Sequence, residues 1–443
     1  MGTSTTDKNL PPFRFLFTMA IGLGFGTTAI TWTFYNTVMI SFLEQYFQPR
    51  YSFLNNTFIS FIMVWDNIIA IFLQPWIGVK SDNTNSRLGK RTPFILVGIP
   101  LAAFFFLLIP LMKSSSLILL ILVILAFNMS MAIYRSPVVA LMPDLTPTEY
   151  RSKANGVINM VGGVFAGIAL FVGGEILKSN SVEAAFAFVS AVMIIALIGF
   201  LLLVKEPKEL AKFESYSVDK VEPEKVSMSE EFEKLFIMKD KSKLFILLGI
   251  ASWFMAWNAL EIYVPTYIVQ NIYKVPKHDP LYLESIGSAS KEIGLVPIIF
   301  VVSTIIGGFL GNSYGRKPVI RIGLIIFFIG LLIGFTQVTI TGVKISMFAI
   351  ALAWGLINVN SIVIVWELSD RNIGAGTGIY YLFSSAAAIV GPLLMGAIFD
   401  FNDDRSYVWL YSLFWIILAF LFIFKVTSGE VKGKIDVDLS DLD

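Results

Sequence analysis

Twelve predominantly apolar runs, each about twenty residues or a little longer, alternate along the chain with shorter polar segments. They cover residues 15–42, 57–79, 92–112, 116–141, 154–177, 183–204, 244–272, 289–311, 318–338, 345–366, 374–399 and 406–425. About twenty residues of α-helix cross the roughly 30 Å of hydrocarbon in a bilayer. The runs are far too long for barrel strands, and lipid gives an unpaired backbone no partner, so each is predicted to be a spanning helix. One polar interval is much longer than the others: residues 205–243, rich in Lys, Glu and Ser, read as a solvated linker. It divides the chain into a six-helix half at 1–204 and a second at 244–443, the latter ending in a short polar tail. The predicted fold class is an all-α membrane protein of twelve transmembrane helices in two six-helix halves.

Composition agrees, with 56% hydrophobic and 15% charged residues among 443. A net charge of +1 gives no basic surface for nucleic acid. With no cysteine and one histidine there is no disulfide framework, and no metal site or cofactor is expected. About three quarters of the 33 Lys and Arg residues fall on alternate polar segments that include both ends. That asymmetry predicts cytoplasmic termini and a multi-pass protein of the cell membrane. The Gly-rich stretches at residues 22–26 and 374–378 lie inside apolar runs with no strand before them, so they read as helix-packing positions rather than nucleotide loops. No metalloprotease, Walker or nucleophile-elbow motif occurs, and no enzymatic activity is expected.

The polar segment GVKSDNTNSRLGKRTPF, residues 78–94, follows the second run and has a partner after the eighth, GFLGNSYGRKP at 308–318. Gly78, Ser81, Asp82, Gly89, Lys90 and Arg91 match Gly308, Gly311, Asn312, Gly315, Arg316 and Lys317 at a separation of about 230 residues, the mark of a duplicated unit. The segment resembles the G-x-x-x-D-x-x-G-(R/K)-(R/K) loop of the major facilitator superfamily, with four extra residues in the first copy and Asn for Asp in the second. The wider stretch LQPWIGVKSDNTNSRLGKRTPFILVG, residues 73–98, is similar to the plant sucrose/proton symporters and their relatives. The related glycoside-pentoside-hexuronide cation symporters usually carry paired acids where this chain has Ala70 and Gln74. Asp82, Arg87 and Arg91 in the loop, Asp144 and Arg151 at the junction of the fourth and fifth runs, and Arg316 and Glu367 in the second half are expected to form a cytoplasmic gate. Asp370 and Arg371 share the Glu367 junction.

Charge inside a span is costly and persists mainly at functional positions. Asp66 and Glu261 lie roughly 14 and 16 Å from the outer ends of their runs at 1.5 Å per residue, and Arg135 lies in the fourth. Asp66 and Glu261 are therefore candidates for binding a coupling proton, with Arg135 as a competing cation. The resemblance implies a titrating Asp in the fourth helix, but alignment from Asp144 through Pro137 places Asn128 there. Coupling then falls to Asp66, or is absent.

A sugar needs amides and carboxylates for its hydroxyls and flat rings for its C–H face. Trp32, Tyr35 and Asn36; Trp257, Asn258 and Glu261; Trp354, Asn358 and nearby Asn360; and Tyr380, Tyr381 and Ser384 supply these, mostly at one-turn spacing. The resemblance places the first, fourth, seventh and tenth helices around a central cavity, adding Asn128. The expected protein is a monomeric carrier that imports a sugar such as sucrose or maltose by proton symport. Sodium-coupled or uncoupled carriage and a transport-inactive sugar sensor are the alternatives.

Overall fold

The computed structural model describes residues 12–147, 150–214, 240–369 and 373–429. Among these described residues, twelve helices are long and apolar enough to cross a bilayer: α1 Phe15–Arg50, α2 Asn56–Asp82, α3 Thr92–Ser114, α4 Leu117–Asp144, α5 Lys153–Ser179, α6 Val182–Leu203, α7 Ser242–Ile272, α8 Tyr282–Tyr314, α9 Arg316–Thr336, α10 Ile340–Glu367, α11 Gly376–Phe401 and α12 Tyr407–Phe424. No strand occurs among the described residues. Side-chain caps open several of them: Asn55 accepts from the Phe58 amide at 2.9 Å before α2, and Ser181 from Ala184 at 3.1 Å before α6. Each cap satisfies an amide that the first helical turn leaves unpaired. The predicted runs are therefore all present, with the largest shifts at α1, which ends at Arg50 rather than 42, and at α8, which begins at Tyr282 rather than 289.

Several spans are not uniform, α8 among them, which is interrupted at residues 293–295. At Val64, with φ −89° and ψ 0°, α2 breaks into Asn56–Met63 and Trp65–Asp82. The break gives the inner segment its own N-terminus within the membrane, with Asp66 in its first turn, where the unpaired amides favour an acid. A π-turn occupies Ala169–Gly173 in α5 and another Ile268–Ile272 at the end of α7, just beyond Pro265.

Within the first half, α1 packs along α5 and α6, and α4 packs against α2 and α3. In the second, α10 packs on α8 and α9, and α7 on α11 and α12. The halves meet through α1 with α7 and α8, α2 with α11, and α5 with α8. The α5–α8 crossing requires glycine on both sides. A Cβ on Gly174 would stand 2.8 Å from the Gly287 carbonyl oxygen, and one on Gly287 2.7 Å from the Lys178 amide nitrogen. Two backbones thus touch where any side chain would part them.

Candidate functional site

A chamber of about 290 Å³ lies between the halves, lined from α1, α2, α4, α7, α10 and α11. It brings Asp66, Arg135 and Glu261 to one wall system together with Trp32, Asn36, Trp257, Asn258, Trp354, Asn358 and Tyr381. Asn67 donates to Asp66 Oδ1 at 3.0 Å, whereas Oδ2 has no hydrogen-bond partner among the described residues. Asn36 Nδ2 donates to Glu261 Oε1 at 3.4 Å, a long contact joining α1 of one half to α7 of the other. Trp257 and Trp354 stack with centroids 5.0 Å apart and planes at 10°, leaving broad aromatic faces beside Glu261. Arg135 holds its guanidinium 5.9 Å from the Trp32 ring centroid. Tyr380 donates to Asn358 Oδ1 at 2.7 Å and so orients that amide.

Three expected substrate contacts sit elsewhere. Asn360 is buried and gives its amide to the carbonyls of Gly307 at 2.9 Å and Leu356 at 2.8 Å, so it binds α10 to α8. Residues two apart on a helix face nearly opposite ways, and Asn358 holds the chamber side. Tyr35 and Asn128 are buried behind the chamber, Tyr35 stacking on Trp32 and tilting against Phe127. The Tyr35 hydroxyl and both polar atoms of the Asn128 amide lack partners among the described residues.

The polar loop after α2 closes within its own half. Arg91, buried although it lies in a loop, pairs with Asp82 and Ser81 and reaches Asp144 at 2.9 Å; Lys90 approaches Asp144 at 3.2 Å. This fixes the inner ends of α2, α3 and α4 to one another. Arg151 donates to the Pro143 carbonyl at 3.2 Å, Arg87 is exposed, and Lys80 lies over the Trp76 ring at 4.8 Å. Arg316 opens α9 and Glu367 closes α10, both half-buried; Asp370 and Arg371 lie outside the described residues.

Glu206, absent from the sequence reading, completes the loop. Its carboxylate accepts from the backbone amides of Lys90 at 2.8 Å, Arg91 at 2.9 Å and Thr92 at 2.8 Å, and from the Thr92 hydroxyl at 2.7 Å. An acid from beyond α6 thus caps the N-terminus of α3.

The opposite face is clasped across the halves, and sequence reasoning missed this set as well. Arg405, between α11 and α12, is fully buried and pairs with Glu44 of α1; it also donates to Asn56 Oδ1 at 2.9 Å. Tyr282 of α8 donates to Glu44 Oε2 at 2.7 Å, and the Arg405 guanidinium stands 4.2 Å from the Phe399 centroid. Asp400 accepts from the Asn56 and Thr57 amides at 2.7 and 3.1 Å, so an acid from α11 caps α2 across the interface. Lys291 of α8 pairs with Glu175 of α5. The only sequence signal was charge at the ends of apolar runs, which marks an interface for lipid headgroups equally well. This face is shut by contacts between the two halves.

Residues 21–290 and 279–439 match the Major Facilitator Superfamily. The chain belongs to that superfamily. The superfamily membership is thus shown, and the protein is a membrane transporter. Among similar proteins, the staphylopine export protein of Staphylococcus aureus is 26% identical over 200 residues, 40% of this chain, and the chain spans 45% of that relative's length. Multidrug resistance protein 2 of Bacillus subtilis is 22% identical over 319 residues, 69% of this chain and 72% of the relative. A mutant of the nucleoside transporter NupG superposes with a TM-score of 0.70 at 15% identity, covering 92% of this chain and 99% of that one. At that identity the likeness is one of fold.

Proposed function

We propose that this facilitator carries a sugar across the cell membrane by proton symport, inward, with both termini in the cytoplasm. The observation that carries the reading is the composition of the chamber: two carboxylates, a guanidinium and four amides around stacked indoles. Glu261 and Asn258 suit pairs of ring hydroxyls, and Trp257 with Trp354 suits the C–H face of a pyranose. Asp66 takes the proton: one oxygen is held by Asn67, and the other has no partner among the described residues. Because Asn36 and Glu261 belong to opposite halves, a hydroxyl bound between them reports substrate to both halves at once. The resemblance of residues 73–98 to sucrose/proton symporters supports the sugar class.

The names of the curated relatives, an export protein and a multidrug resistance protein, support a second reading, export of a small organic compound. Liposomes separate the two. With purified protein, the expected result is internal acidification when one sugar is added outside, abolished in Asp66→Asn while exchange of that sugar persists. Uptake that needs sodium, or none of the gradient, overturns the proton step; proton-driven extrusion of an organic dye with no sugar flux overturns the sugar and its direction.

A further inference from the structure

A second chamber of about 280 Å³ adjoins the first, and Trp257, Glu261 and Trp354 belong to the walls of both. Past that shared edge the character of the lining changes. Phe25, Leu170, Val296, Phe300, Val301 and Met347 enclose it, and the small residues Gly162, Gly163 and Ala166 of α5 leave its volume open. Besides the shared residues, its polar side chains are Thr33, Thr37 and Asn159. The Thr37 hydroxyl already donates to the Thr33 carbonyl at 2.8 Å, and the Asn159 amide to the Asn155 carbonyl at 2.8 Å and Oδ1 at 3.1 Å. The chamber therefore offers a ligand little beyond apolar contact.

A second sugar ring placed there would bury several hydroxyls without partners, each lowering affinity on the order of tenfold. An apolar group would gain by leaving water. We infer that the transported molecule is a glycoside of one sugar, its ring in the polar chamber and an apolar aglycone in the second, with the stacked indoles and Glu261 at the junction. The aglycone is of aromatic-ring or short-alkyl size, about what each chamber's volume admits. This inference rests on the sugar reading above and narrows it away from disaccharides such as sucrose or maltose.

The test uses the full chain in lipid nanodiscs, so that no glycoside detergent competes. Tryptophan fluorescence would measure Kd for the methyl and phenyl β-glycosides of glucose, galactose and xylose, and for sucrose and maltose. For one sugar, the phenyl glycoside is expected to bind at least tenfold more tightly than the methyl glycoside and than either disaccharide. Ala29→Phe, which projects a ring from α1 into the apolar chamber, is expected to cut the phenyl-to-methyl ratio below threefold. Thr33→Phe, one turn along and likewise projecting a ring into the apolar chamber, is the second variant and is expected to shift the ratio in the same direction if Ala29→Phe fails to fold. Equal binding of methyl and phenyl glycosides, tighter binding of a disaccharide, or a phenyl advantage that survives both substitutions overturns the inference and leaves the sugar reading standing. Absence of binding by every sugar and glycoside overturns both.

Discussion

At the scale of single residues, the largest energetic stakes lie with Arg405. Its charge is fully buried, pairs with an equally buried Glu44, and stacks near Phe399. Removing one partner of such a pair leaves an uncompensated charge and costs about 3 to 5 kcal/mol. Glu44→Gln should impose most of that cost on the arrangement in which the clasped face is shut, since opening that face returns Arg405 to water. The expected outcome is a population shift toward opening at the clasped face, read as faster modification of a cysteine placed on that side of the chamber. That reporter would be unique, because the natural chain has no cysteine. Replacing both members, Glu44→Leu with Arg405→Met, should recover most of the loss. Glu206→Ala removes a carboxylate from three backbone amides, and charged hydrogen bonds contribute roughly 1.5 to 3 kcal/mol each. It should lower the thermal midpoint and leave residues 78–92 open to protease. The sequence disclosed Asp66, Glu261 and Arg135 because a charge inside an apolar run stands out. It concealed Glu44 and Arg405, which sit at run ends and are separated by 361 residues, a distance that only folding closes.

At the scale of elements, twelve spans were legible because hydrocarbon imposes length and apolarity on every helix that crosses it. The break at Val64 was not, since a helix interrupted for one residue keeps the composition of its neighbours. Yet the break decides the role of Asp66, which stands near a helix N-terminus rather than in the middle of an unbroken helix. Likewise helical spacing marked Trp32, Asn36, Trp257 and Glu261, which line the chamber, but it equally marked Asn360 and Tyr35, which do not, because the side of a hydrophobic helix that faces the cavity depends on its neighbours. Helix contacts between halves carry their own prediction. Gly287→Val sets side-chain atoms against the α5 backbone, where even a Cβ would lie 2.7 Å from the Lys178 amide nitrogen. It should hold α5 and α8 apart at the clasped face and cut transport at least tenfold, while circular dichroism keeps its helical signal. Asp400→Ala removes the cap that α11 lends α2, with an expected loss of about 1 kcal/mol from the clasped face.

At the scale of the whole molecule, the two halves are built alike but joined unequally. The loop of residues 78–92 ties α2, α3 and α4 into one piece from within, whereas Glu44, Arg405, Asp400, Lys291 and Glu175 hold one half to the other. Alternating access then amounts to undoing the second set while the first stays intact. Cysteines in place of Glu175 and Lys291 should arrest transport on oxidation and release it on reduction, while the same pair reduced throughout transports normally. The resemblance of the polar loop to a known family made this two-part architecture legible in advance. The clasp had no such signature, because each of its pairs joins residues from different halves and leaves no local pattern.

The buried Glu44–Arg405 pair also has a thermal consequence. Stripping water from ions becomes less unfavourable as temperature rises, because their hydration carries a strongly negative entropy. Warming therefore favours the arrangement in which this pair is dry, and cooling the one in which it is wet. The side to which the empty carrier rests becomes a function of temperature, so its apparent affinity for substrate arriving at the clasped face should fall on warming even where every contact in the chamber is unchanged.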